Sequence, residues 1–135
     1  MKKVAHVITV ALLSFLLSGN IEGRYDAAAQ DLIGTWSSQI STPLCLGTSE
    51  TTLMPNGGFS KTFRCGQLVT WDTGTYAVGE GYIHFDITDH EPKKYNGKHM
   101  HWVKSETVFF KLTGPNRMMC HDRLTGGSWE AVRIR

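Results

Sequence analysis

Past residue 29 the chain has no apolar run long enough to cross a membrane, no stretch with helical periodicity and no low-complexity tract. It has no N-x-S/T sequon there either, and only three cysteines in all. Neither sign of charge is in excess: 14 Lys and Arg stand against 12 Asp and Glu, a formal net charge of +2. No basic stripe is left over to neutralise phosphates, so nucleic acid is not an expected partner. The strand–turn–helix elbow G-x-S-x-G is missing, as is an H-E-x-x-H helix, and no hydrolytic triad is legible. These absences leave hydrolytic chemistry without support, and neither an enzymatic activity nor a cofactor is expected.

What is present begins with a leader. Lys2 and Lys3 precede "VAHVITVALLSFLLSG", a short apolar core that falls below the roughly 20 residues of a membrane span. A basic start, an apolar core and small residues ahead of a cut make a secretory signal peptide. Ala27 and Ala29 supply the A-x-A pair in "DAAAQ", which places the cut after Ala29. "LLSGN" has the small-residue shape of a lipoprotein processing site. Asn20 stands where a lipidated cysteine is needed, so no lipid or other stable membrane anchor is expected. The sequence therefore divides into a leader over 1–29 and one domain over 30–135, secreted or periplasmic.

A domain this small gains from a crosslink in an oxidising compartment. Cys45 and Cys65 flank the hairpin around "PNGG" and are the natural pair. Cys120 is left over and reads as a buried apolar thiol. Met118 and Met119 beside it are soft filler without a metal-binding repeat.

The rest is short β-rich runs separated by glycine, proline and asparagine. Eight strands are expected: 33–40, 49–54, 59–65, 73–78, 82–88, 101–112, 117–122 and 128–134. The connections "PNGG", "GEG", "TGPN" and "LTGG" have tight-turn chemistry. "DHEPKKYNGKHM" is the exception, a charged loop between the fifth and sixth strands. Alternation is cleanest in "YIHFDIT", where Ile83, Phe85 and Ile87 share one face. One apolar and one polar face suits an antiparallel sheet, and closing eight strands into an up-and-down barrel removes both exposed edges. An all-β, eight-stranded antiparallel barrel is therefore expected, with a two-sheet sandwich as the alternative.

"DLIGTW" opens the first strand. In a barrel the first and last strands meet, so Trp36 can plug one end while Gly34 lets the chain pass close beside it. Arg133 of "SWEAVRIR" can then lie over the indole face. With "LIGTW", "LMPNGGF", "DTGTYAVGEGYIHF" and "WEAVRIR" in this order, the chain resembles the lipocalin-like proteins of the calycin group, the small bacterial ones in particular. The pattern covers essentially the whole of residues 30–135. It departs from animal lipocalins in being shorter and in showing no C-terminal helix. The resemblance implies a barrel that carries a small, largely apolar molecule. Bacterial metalloprotease inhibitors are also small calycin barrels with an early Gly-x-Trp and an early disulfide. The chain is similar to them through Gly34, Trp36 and the Cys45–Cys65 pair. That likeness implies a protein partner, engaged by the N-terminal "AQDL".

Candidate ligand contacts follow from the barrel. Trp36, Tyr76, Phe85 and Phe110 are aromatics able to line a cavity or fill a core. Placing Val108, Phe110 and Leu112 inside turns Lys104 and Glu106 inward as well, near Trp102. Such charges pair, meet a polar ligand group, or lie on a part of the strand that projects into water. His99, His101 and Glu106 in "KHMHWVKSE" have the look of a cupin metal motif, which His121 could complete. Strand parity sets Glu106 opposite both histidines unless a bulge intervenes, and no second cupin motif is present. Solvated histidines in a charged loop are the preferred reading over a metal site.

Overall fold

The computed structural model describes residues 29–135. The leader, apart from Ala29, lies outside the described residues. After one helical turn over 29–32 the chain runs through ten strands. They are β1 (Gly34–Ser41), β2 (Leu46–Leu53), β3 (Gly58–Cys65), β4 (Leu68–Gly79) and β5 (Tyr82–Glu91). β6 (Lys94–Tyr95), β7 (Lys98–His99), β8 (Ser105–Gly114), β9 (Arg117–His121) and β10 (Ser128–Arg133) follow.

Eight of these close into a barrel in the order β1-β10-β9-β8-β5-β4-β3-β2, every pair antiparallel. The sandwich alternative is thereby excluded. β6 and β7 form a separate hairpin inside the charged connection, where the sequence predicts only a loop. Closure satisfies both strand edges, so among the described residues no barrel edge is left for pairing.

The meander gives the barrel two unlike ends. Tight turns join β2 to β3, β4 to β5 and β8 to β9 at one end, together with the helical turn. Met54 N–H donates to Gly58 O at 2.9 Å, closing the "PNGG" turn there. The connections 42–45, 66–67, 92–104 and 122–127 lie at the other end. The Cys45–Cys65 disulfide belongs to this second end. It ties the start of β2 to the end of β3 with Cα atoms 6.0 Å apart.

The first end is plugged. Leu32 has no exposed surface, and Trp36 Nε1 donates to Leu32 O at 2.9 Å. The Arg133 guanidinium lies over the Trp36 ring, 4.5 Å from its centre, and donates to the carbonyls of Ile33 and Asp31. Gly34 has a φ of +135°, and a Cβ there would stand 2.4 Å from Arg135 O. Only glycine fits both the angle and the approach. The first strand thus begins with Gly-x-Trp because the chain must pass under Arg135 before the indole turns inward.

The core follows the two-residue period. Phe59, Ile83, Val108, Met118 and Ala131 are all buried, one from each of five strands. Large apolar side chains buried in this way are each worth about 1.5–3 kcal/mol. The period breaks once in β5. Gly74 pairs with Ile87, but Thr73 pairs with Asp89, which leaves Thr88 as an extra residue. Gly74 makes the bulge possible, since a Cβ there would sit 1.9 Å from Asp86 O. The inner face of β5 consequently changes from Ile83, Phe85 and Ile87 to His90, which is buried.

Strand bounds differ from expectation where side chains outweigh pattern. β4 starts at Leu68 instead of Thr73, and β5 continues past Thr88 through the bulge. The expected strand 101–112 begins only at Ser105. Trp102 leaves the barrel wall to stack on His90, with ring centres 5.7 Å apart. The irregularity in β8 lies between Leu112 and Gly114, not near Glu106.

Candidate functional site

The barrel interior holds a cavity of about 60 Å³. Its walls are the inner faces of β1, β2, β3, β5, β8, β9 and β10. Leu53, Phe59, Phe85, Ile87, Val108 and Met118 are among its apolar lining residues. Phe59 and Phe85 meet edge to face with centroids 4.8 Å apart, an arrangement that fixes both rings. Trp36 forms the floor over the plugged end. The lining continues to Ile40 and Trp129, near the ends of β1 and β10 that face the open end.

One charged pair stands in this wall. Lys61 of β3 and Glu106 of β8 approach to 3.6 Å, with side chains only 27% and 21% exposed. The two strands are not neighbours, since β4 and β5 separate them in the barrel. Both side chains therefore reach across the interior. Of the two charges that strand parity turns inward, only Glu106 lines the interior, and it is paired there instead of projecting into water. Lys104 instead sits 4.0 Å over the Trp102 ring, and the carboxylate finds its cation on a strand 45 residues earlier in the chain.

A second polar group lies on the same inner face. The register runs Thr51–Lys61–Asp72–His90 from β2 to β5, each residue opposite the next. Directly opposed residues of antiparallel strands point to the same face. His90 Nδ1 and an Asp72 carboxylate oxygen are hydrogen-bonded. Trp102 covers the imidazole, the two rings lying within 13° of parallel. The connection that carries Trp102 is pinned near its start by Lys93, which bonds Asp89 and the His90 carbonyl and lies 3.3 Å from Glu91. The bond to Lys93 holds the Asp89 carboxyl below its ordinary value.

Of the residues expected to touch a ligand, Trp36, Phe85 and Glu106 line the cavity, and Tyr76, Trp102 and Phe110 do not. Tyr76 is drawn toward the plugged end, where its hydroxyl donates to Met54 O at 2.7 Å. Burial pushes that phenol above its ordinary pKa. Phe110 packs against the core below Val108, opposite Cys120. Trp102 belongs to the His90 cover. Lys61, Asp72 and His90 were not singled out from the sequence. Lys61 is one inward step from Phe59 on the same strand, a signal that strand parity carries.

The histidines considered for metal do not share a site. His99 ends the small β6–β7 hairpin, and His101 lies in the connection after it; both are exposed. His121 Nδ1 is 3.0 Å from Ser128 Oγ on the neighbouring strand. Among the described residues no three of His, Cys, Asp or Glu are grouped to hold a metal ion. Cys120 lines the cavity as a free thiol, and desolvation pushes its pKa up to about 12. It is buried as a small apolar group, not poised as a nucleophile.

The open end is fringed by apolar side chains. Leu44 and Leu46 flank the disulfide half-cystine Cys45, and Leu124 lies between β9 and β10; they are 92%, 69% and 86% exposed. No family model matches the chain, and no curated protein matches it. Function is therefore read from the interior itself: an apolar cavity in a closed barrel, floored by an indole and carrying one ion pair in its wall.

Proposed function

We propose that the chain is an exported, lipocalin-like binding protein that carries a small and largely apolar molecule inside its barrel. The observation that carries this reading is the cavity. It is walled mostly by aromatic and aliphatic side chains, with the hydroxyls of Ser38, Ser49 and Thr51 and the charged pair Lys61–Glu106 as its polar groups. Ligand sites of this kind combine a mostly apolar lining with a few placed polar groups. The disulfide and the leader agree with an oxidising compartment outside the cytosol.

The volume limits the ligand. About 60 Å³ is under half of the ~150 Å³ that admits benzene in an engineered protein cavity. The fit is to a slender chain or a very small ring, inserted from the open end toward Trp36. A bulky steroid-sized or haem-sized guest is not accommodated.

The inhibitor reading finds less support. Residues 29–32 form the helical turn that closes the barrel, Leu32 is wholly buried, and Arg133 holds the Asp31 carbonyl. A segment used as the barrel's plug is not free to enter a protease cleft.

Native mass spectrometry of the protein recovered from its export compartment tests the carrier reading. A native mass above the denatured mass by one discrete organic adduct is the expected result. A bare native mass that stays bare after incubation with short-chain alcohols and hydrocarbons would reject it.

A further inference from the structure

The chain has a formal net charge of only +2, yet the fold sorts its charges between the two ends of the barrel. The connections of the open end carry Lys93, Lys94, Lys98, Lys104 and Arg123 against one carboxylate, Asp122. That carboxylate is turned onto its own loop, where it accepts from the Leu124 N–H and the Thr125 hydroxyl. Lys93 is neutralised by Asp89 and Glu91. Among the described residues no ion pair holds the other four cations. Lys104 and Arg123 lie over the Trp102 and Phe109 rings, contacts that leave their charge uncancelled. At the plugged end the helical turn, the tight turns and the two residues after β10 carry Asp31 and Glu80 against Arg135.

The exposed apolar side chains are sorted the same way. Among the described residues four large ones are more than half exposed: Leu44 at 92%, Leu124 at 86%, Leu46 at 69% and Val103 at 57%. All four stand at the open end, in the connections 42–45, 92–104 and 122–127 or at the first residue of β2. These connections follow one another around the rim, because β2, β1, β10, β9 and β8 are successive strands of the barrel. A lone exposed leucine needs no explanation, but apolar residues gathered at one end and edged by charge mark a surface that binds. Side chains this exposed project from their loops instead of lining a groove for a partner's side chain. Projecting leucines beside unpaired cations suit a fluid apolar phase with an anionic face. The leucines enter the acyl boundary while the ammonium and guanidinium groups stay at the headgroups.

We infer that the open end of the barrel docks reversibly on an anionic lipid bilayer. Leu44, Leu46, Val103 and Leu124 dip into it, and Lys94, Lys98, Lys104 and Arg123 meet the lipid phosphates. The inference goes beyond the carrier reading and does not depend on it. Docking in this orientation turns the open end of the cavity toward the bilayer.

Co-sedimentation of the folded chain with phosphatidylglycerol vesicles and with phosphatidylcholine vesicles tests it. Binding to phosphatidylglycerol should be about tenfold tighter or more and should fall as salt rises, since each lysine near an anionic surface contributes about fivefold. Leu44→Ser/Leu124→Ser should weaken it about tenfold, and Lys94→Gln/Lys98→Gln by a similar factor. All four side chains are exposed, so these variants keep the fold, which circular dichroism verifies. Leu112→Ser, on the outer wall near the plugged end, should leave binding unchanged. In the unaltered protein a spin-labelled lipid should broaden the methyl signals of Leu44, Leu46 and Leu124 and spare Leu112. No binding to phosphatidylglycerol, equal binding to both vesicles, binding that survives the leucine variant, or broadening at Leu112 in place of the three leucines would each overturn the inference and leave the carrier reading intact. So would a dimer in solution that Leu44→Ser/Leu124→Ser abolishes, because a second copy of the chain would then cover the patch.

Discussion

Lys61 and Glu106 meet across the barrel interior, Nζ to Oε2 3.6 Å, from strands that do not touch each other. The pair joins two walls of a mostly apolar cavity. Each charge is tolerated there because the other is present, and each becomes a liability alone. Removing one partner of a buried pair is costly, whereas replacing both by apolar groups is often neutral or stabilising.

Lys61→Met should therefore destabilise the fold by about 1–2 kcal/mol, below the range for fully buried pairs because both side chains keep some solvent contact. The double variant Lys61→Met/Glu106→Leu should recover that loss. Urea unfolding monitored by tryptophan fluorescence measures both. A double variant as unstable as the sum of the single ones would show that the residues act independently.

Gly34→Ala should be among the most damaging single-methyl changes in the chain. It places a Cβ 2.4 Å from Arg135 O at a φ of +135°, so the plug must shift. Backbone strain of this kind costs on the order of 1–3 kcal/mol. Gly57→Ala is the control: its φ is also positive, at +85°, but nothing lies within 4 Å of the added carbon. A larger midpoint loss for Gly34→Ala than for Gly57→Ala is the expected order in thermal unfolding.

Cys45→Ala/Cys65→Ala should lower stability by about 3 kcal/mol, the loop-closure value for cysteines 20 residues apart. The barrel should still form, since the strands on either side keep their ladders. Equilibrium unfolding compared with the oxidised protein checks the size of the effect, and far-ultraviolet circular dichroism checks the retained fold.

Cys120 gives a prediction in pH. Burial raises its thiol pKa from 9.0 in the free side chain to about 12. The folded state therefore favours the protonated form, while the unfolded chain loses this proton near pH 9. The resulting stabilisation is complete below pH 9 and declines as pH rises toward 12. Comparison of the unaltered protein with Cys120→Val across this window isolates the contribution. A thiol reagent at pH 8 should leave Cys120 unmodified in the folded protein and label it in urea.

Much of the architecture is legible in the sequence, because closure demands it. Ile83, Phe85 and Ile87 alternate cleanly, the turn residues stand between the runs, and Gly34 and Trp36 open the strand that must meet Arg133. The interior chemistry is less legible, for two physical reasons. A bulge leaves no trace in polarity, so Thr88 conceals the turn of His90 toward the inner face. Cross-barrel neighbours also have no fixed spacing: Glu106 meets Lys61 because of barrel diameter and stagger, which no local pattern records. Trp102 shows the converse. Strand parity places it in the barrel wall, yet its stacking on His90 draws it out, and β8 starts three residues later.

The most direct test of an interior binding site is methyl NMR during titration with ethanol, a guest small enough for a cavity of about 60 Å³. Met118, Ile87 and Val108 line the cavity, whereas Leu44 and Leu124 project into solvent at the open end. Saturable shifts confined to the three interior residues are the predicted result. Shifts at the two exposed leucines alone, or none at saturating ethanol, would contradict the account.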